Sequence, residues 1–137
     1  MRIWTSSWFT TLPPTIQKIG ISRGTPRGYP AGYRKLPELM PGPWFNSVSP
    51  TEYDRRFREI LAALDPRAVL AKIEQLANGK DAALLCYEDP GKPADWCHRG
   101  QVSAWFKDTL GIDVFEYGHE AEGCGHSHPK LFSELRR

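Results

Sequence analysis

The stretch "DAALLCYE", residues 81 to 88, restricts the possible folds more than any other part of this chain. Ala82 to Cys86 is an unbroken apolar run of strand length. A strand with one face in water alternates apolar and polar residues; one without that alternation needs cover on both faces. Such strands belong to parallel sheets, whose crossover connections carry helices over the sheet.

The flanking sequence supplies the strands and helices this requires. "MRIWTSSWF" is rich in aromatic and β-branched residues and predicts a strand ending before Pro13-Pro14. "IQKIGIS" predicts a second short strand. In "SPTE", Ser49 is placed to cap a helix, Pro50 to take its first position and Glu52 to complete a capping box. Tyr53, Phe57, Ile60, Leu61 and Leu64 then make one apolar stripe. "DPRAVLAKIEQLANG" repeats the pattern, with Asp65 as cap and Asn78-Gly79 as stop. A third helix is predicted after Asp95, read as its cap, with Val102, Trp105, Phe106 and Leu110 inward and Gly111 ending it. "IDVFEY" predicts a last strand. The expected fold is therefore α/β: a single three-layer domain with a small, mostly parallel sheet flanked by helices. Residues 1–117 are expected to form this core, and residues 118–137 a peripheral C-terminal tail.

Between Arg23 and Pro50, six prolines, with glycines among them, exclude a long helix or a central strand. A connection of this length tends to be functional or disordered, and Tyr29, Tyr33, Trp44 and Phe45 favour an ordered loop that covers something. The 137 residues suffice for one core. A net charge of +2 carries no general attraction to nucleic acid, so any such preference is local. No stretch reaches the roughly 18–20 apolar residues of a membrane span. The N-terminus lacks the pattern of a signal peptide, and three cysteines do not make a disulfide framework. No membrane partner and a cytoplasmic setting are the expectations.

In open parallel sheets, ligands bind beyond the carboxyl ends of the strands. That edge would carry Cys86 and Glu88, then Cys97, His98 and Arg99 at the next helix start. A thiol in a first helical turn, near a cation, ionises more easily than a free cysteine. The segment thus offers Cys97 as nucleophile, His98 or Glu88 for proton transfer and Arg99 as an anion clamp. The opposing reading makes Cys86 plain core and pairs Arg99 with Glu88 or Asp89. Adjacent helical residues also diverge by about 100°, so the three cannot all aim at one atom unaided.

"ALLCYE", a short loop and "CHR" leading into a helix resemble the signature of the bacterial family called Domain of Unknown Function 488. "ISRGTPRGY" and the segment ending in "PGPWF" are similar to that family's N-terminal half, and the likeness spans roughly residues 1–117. It implies a compact α/β domain, directs attention to Ser22, Arg23, Cys86, Glu88, Cys97, His98 and Arg99, and brings no assigned reaction.

Two further segments carry chemistry. "SRGTPRGYPAGYRK" interleaves Arg23, Arg27, Arg34 and Lys35 with glycines and tyrosines, residues suited to phosphates and bases, or equally to a solvated basic loop. No phosphate-loop or dinucleotide fingerprint is present. In "GHEAEGCGHSHPK", His119, Cys124, His126 and His128 are zinc-type ligands, though their spacing matches no standard zinc pattern. Three functions stay open at this point. The chain is an enzyme-like domain for a phosphate-bearing ligand (nucleotide or nucleic acid), with Ser22, Arg23, Arg27 and Arg99 binding it and Cys97, His98 and Glu88 acting. It is a non-catalytic module binding the same ligands. Or it is a small protein binding zinc through the tail.

Overall fold

In the computed structural model, which describes residues 1–89 and 96–136, the apolar run is the central strand β4 (Asp81–Cys86), buried from Ala82 to Cys86. β1 (Ile3–Ser7) pairs with it on one side and β2 (Ile16–Gly20) on the other. Two-residue strands close the edges: β3 (Arg34–Lys35) beside β2 and β5 (Phe115–Glu116) beside β1. The order is β3-β2-β4-β1-β5, and every pairing between strands is parallel. β3 has no counterpart in the sequence reading, and "IDVFEY" yields only two paired residues.

Side chains alternate across this sheet. Ile3, Ile19, Ala82, Leu84 and Cys86 meet helices α1 (Pro50–Ala62), α2 (Pro66–Ala77) and α3 (His98–Leu110) through Phe57, Leu61, Val69, Ile73, Val102 and Phe106. On the opposite face, Trp4, Ile16, Ala83 and Leu85 lie under Trp8, Tyr29, Tyr33 and Tyr117. The third layer is therefore built by loops. Right-handed crossovers explain the division. The connections β3→β4 and β4→β5 run in one direction along the sheet and bring their helices to one face. The connections β1→β2 and β2→β3 run the other way and bring loops to the second. Trp8 anchors that loop layer, edge-on to Tyr29 at 4.9 Å and Tyr33 at 5.4 Å. The Pro-rich segment is thus an ordered cover, as its aromatics indicate.

Helix starts follow local chemistry. Ser49 Oγ accepts from Glu52 N, and Asp65 Oδ1 accepts from Arg67 N. The Glu52 carboxylate binds Arg55 and Arg56. Asn78 and Gly111 end α2 and α3 with positive φ of 50° and 66°. Asp95 lies outside the described residues, and the N-cap of α3 is Cys97, whose Sγ accepts from Arg99 N at 3.5 Å.

The tail is not peripheral. Its His128, Lys130 and Leu131 are buried, and Cys97 N donates to Lys130 O at 2.8 Å. Gly100 permits this approach: a Cβ there would stand 2.5 Å from Leu131 N. Few apolar residues mark the segment because its docking relies on main-chain approach and on buried polar side chains, which leave no hydrophobic pattern. Among the described residues, no helix is long and apolar enough to cross a membrane.

Candidate functional site

Connections leave β2 toward one sheet edge and β4 toward the other, so the ends of these neighbouring strands open a crevice. A pocket of about 530 Å³ lies there. Ser22 and Arg23 enter it from beyond β2, Cys86, Tyr87 and Glu88 from the end of β4, and Cys97 and His98 from the start of α3. Tyr53, Phe45 and Trp96 add aromatic walls. Phe45 and Tyr87 remain 42% and 41% exposed, large apolar surface left open to a ligand.

Three groups meet at the pocket floor. Cys86 Sγ and Cys97 Sγ each lie 3.6 Å from His98 Nδ1, and all three atoms lie within 4.8 Å of one another. His98 Nε2 is 2.8 Å from Ile21 O, an acceptor, so Nε2 carries the proton and Nδ1 presents its lone pair to the sulfurs. Phe57 holds the ring edge-on at 5.0 Å. Strand pairing and helix start thereby resolve the divergence of adjacent residues: Cys86 approaches from the strand and supplies the second sulfur.

The electrostatics of the two thiols differ. Burial works against ionising Cys97, yet the hydrogen bond from Cys86 and then the charge of the nearby Arg99 hold its thiol well below the ordinary range. Cys86 is pushed well up, first by burial and then by its bond to Cys97. Glu88 is raised to about 7, chiefly by burial and then by the charge of Cys97. Both residues are almost wholly buried, with 1% exposure for Cys86 and 2% for Cys97, and both line the pocket.

The remaining expected site residues are placed differently. Arg99, read as an anion clamp, is wholly buried under the floor. Its Nε and Nη2 donate to the Glu116 carboxylate at 2.9 and 3.0 Å, and Nη2 also donates to Glu88 O at 3.0 Å. The guanidinium is committed to a partner 17 residues away, one that no local pattern announces. Ser22 lines the pocket, but its hydroxyl accepts from Trp8 Nε1 and donates to Gly24 O. Arg23 is exposed at the rim, whereas Arg27 is exposed outside the lining.

The tail ligands do not converge. His119 pairs with Glu122, Cys124 donates to Asp113, and His126 lies 3.2 Å from Asp108. His128 is buried, with Nδ1 accepting from Lys130 N and Nε2 donating to Thr5 Oγ1 at 2.7 Å. Thr5 in turn donates to Glu116 at 2.8 Å. Burial, then the charge of Arg99, lowers His128 to about 3 and keeps it neutral. Among the described residues, the one cluster with metal-ligand geometry is Cys86, Cys97 and His98.

Of the aromatic walls, the sequence marks Phe45 only as part of an ordered loop and Tyr53 only as part of a helix stripe; Trp96, directly before Cys97, carries a local signal, and Glu116 carries none. No family model matches the chain, and no curated protein or solved structure matches it either. The resemblance to Domain of Unknown Function 488 therefore rests on the quoted motifs.

Proposed function

We propose that the protein binds a phosphate-bearing ligand of nucleotide type in the β2–β4 crevice and acts on it through the groups at the crevice floor. The observation that carries this reading is convergence: a basic rim residue, aromatic walls and the Cys-His floor come from five separate segments onto one concavity. Phe45, Tyr87 and Trp96 offer faces for a base, and Arg23 offers a fork for phosphate. Cys97 is the candidate nucleophile, and Glu88 on the same wall is the candidate proton-transfer group. Arg99 acts behind them as a positioning residue.

Calorimetric titration with a panel of nucleosides and their mono-, di- and triphosphates tests the binding step. Phosphorylated members are expected to bind and free nucleosides to bind at least tenfold more weakly. Arg23→Ala is expected to weaken the phosphorylated ligands and leave nucleosides unchanged. Failure of every panel member to bind would refute a nucleotide ligand.

A further inference from the structure

We propose that Cys86, Cys97 and His98 form a three-ligand site for a zinc-class divalent cation, open on its fourth side to the pocket. The inference shares the pocket with the proposed function but stands on the ligand geometry alone, and with the ion bound Cys97 is a metal ligand rather than a free nucleophile. A tetrahedral ion with bonds of about 2.3 Å to sulfur and about 2.0–2.1 Å to nitrogen sets S···N separations of about 3.5–3.6 Å. Both S···N separations here are 3.6 Å. The two sulfurs of such an ion stand about 3.8 Å apart, within the 4.8 Å that bounds all three atoms.

The surroundings fit the same ion. Metal-bound imidazoles donate their other N–H to a carbonyl or carboxylate, which fixes tautomer and ring orientation. His98 does this toward Ile21 O at 2.8 Å. Main-chain bonds hold both sulfur-bearing residues: Trp8 N donates to Cys86 O, and Cys97 N to Lys130 O. Two thiolates balance a dication, so the occupied buried site carries no net charge. Thiolate and imidazole together select zinc-class ions over calcium or magnesium, which take oxygen. All three ligands line the pocket, so the fourth position faces the ligand space. Three protein ligands and one open position is the arrangement of catalytic rather than structural zinc. Glu88 lies on the same wall outside the ligand set, where a proton acceptor for metal-bound water belongs.

The test is anaerobic titration of the reduced protein with cobalt(II), followed by zinc(II). One equivalent of cobalt is expected to give a thiolate-to-metal charge-transfer band with tetrahedral d–d bands, and zinc is expected to displace it. Cys97→Ser should weaken cobalt binding by roughly 100-fold or more, whereas Cys124→Ser and His126→Asn should leave it unchanged. In the unmodified chain, zinc should slow alkylation of Cys86 and Cys97 but not Cys124. That pattern decides the matter even if a cysteine variant fails to fold. Absence of the charge-transfer band overturns the site, as does its loss in Cys124→Ser with survival in Cys97→Ser. Oxidation to a Cys86–Cys97 disulfide without metal uptake by the reduced form overturns it as well. Nucleotide titration of metal-free and zinc-loaded protein separates the two proposals: cobalt spectra without nucleotide binding sink only the proposed ligand, and the reverse sinks only the metal.

Discussion

Arg99→Met isolates the charge pair beneath the pocket. Arg99 and Glu116 are both fully buried and joined by two parallel hydrogen bonds. Methionine approximates the volume of the arginine stem but leaves the Glu116 carboxylate with Thr5 as its remaining side-chain donor and with no cation in contact. Removing one partner of a buried ion pair costs about 3–5 kcal/mol, out of a total stability of order 5–15 kcal/mol. For a chain of this size, that corresponds to a fall in Tm of roughly 10–15 °C. The assay is chemical and thermal denaturation followed by circular dichroism at neutral pH. Replacing both partners, as in Arg99→Met with Glu116→Leu, leaves no stranded charge and should recover most of the loss. An Arg99→Met variant melting within about 2 °C of the parent would refute the buried pair. So would a double variant less stable than the parent by the full sum of the two single costs.

Two further outcomes concern the tail. His128 has a folded pKa of about 3, below the ordinary 6.5, so the unfolded chain binds the extra proton between these values. The stability His128 contributes is complete above pH 6.5 and falls by about 1.4 kcal/mol per pH unit as pH drops toward 3. His128→Gln should flatten the stability profile in that window, and an unchanged slope would count against a buried neutral imidazole. Gly100→Ala sets helix propensity, which favours alanine by about 1 kcal/mol, against a methyl 2.5 Å from Leu131 N. The clash should win, lowering stability and speeding proteolysis within residues 125–136; a stabilised variant would show that the tail does not lie on α3.

What could be seen in the sequence was whatever depends on neighbours along the chain. Pro50 and Pro66 behind Ser49 and Asp65 mark their helices because capping is settled within three or four residues. The run from Ala82 to Cys86 marks a doubly covered strand because burial on both faces leaves a compositional trace. Hidden were the features decided by distant partners. Arg99 looks like an anion ligand until Glu116 is placed against it. Cys86 looks like core alone, and it is core, yet the register of β4 also delivers its sulfur to His98. The tail's histidines share a short segment but face separate partners, because the segment turns through two short 3-10 turns. β3 escaped notice because two paired residues carry no period.

The brevity of β3 and β5 also bears on how this molecule behaves in a crowded solution. A parallel sheet with long bare borders invites strands from other chains to join it. Here the outermost strand on one side is two residues, Arg34 and Lys35, both exposed and both cationic, so a second copy approaching it in register meets like charge. The opposite border is occupied by an antiparallel bridge from Cys124 to Phe115. The apolar strand that dictates the fold is also an uncharged run of the kind that aggregates when exposed, and it lies two strands in from either border. Exposure of β4, and with it templated self-association, therefore requires losing at least one flanking strand, which ties colloidal stability to the global folding equilibrium rather than to fraying at the edges.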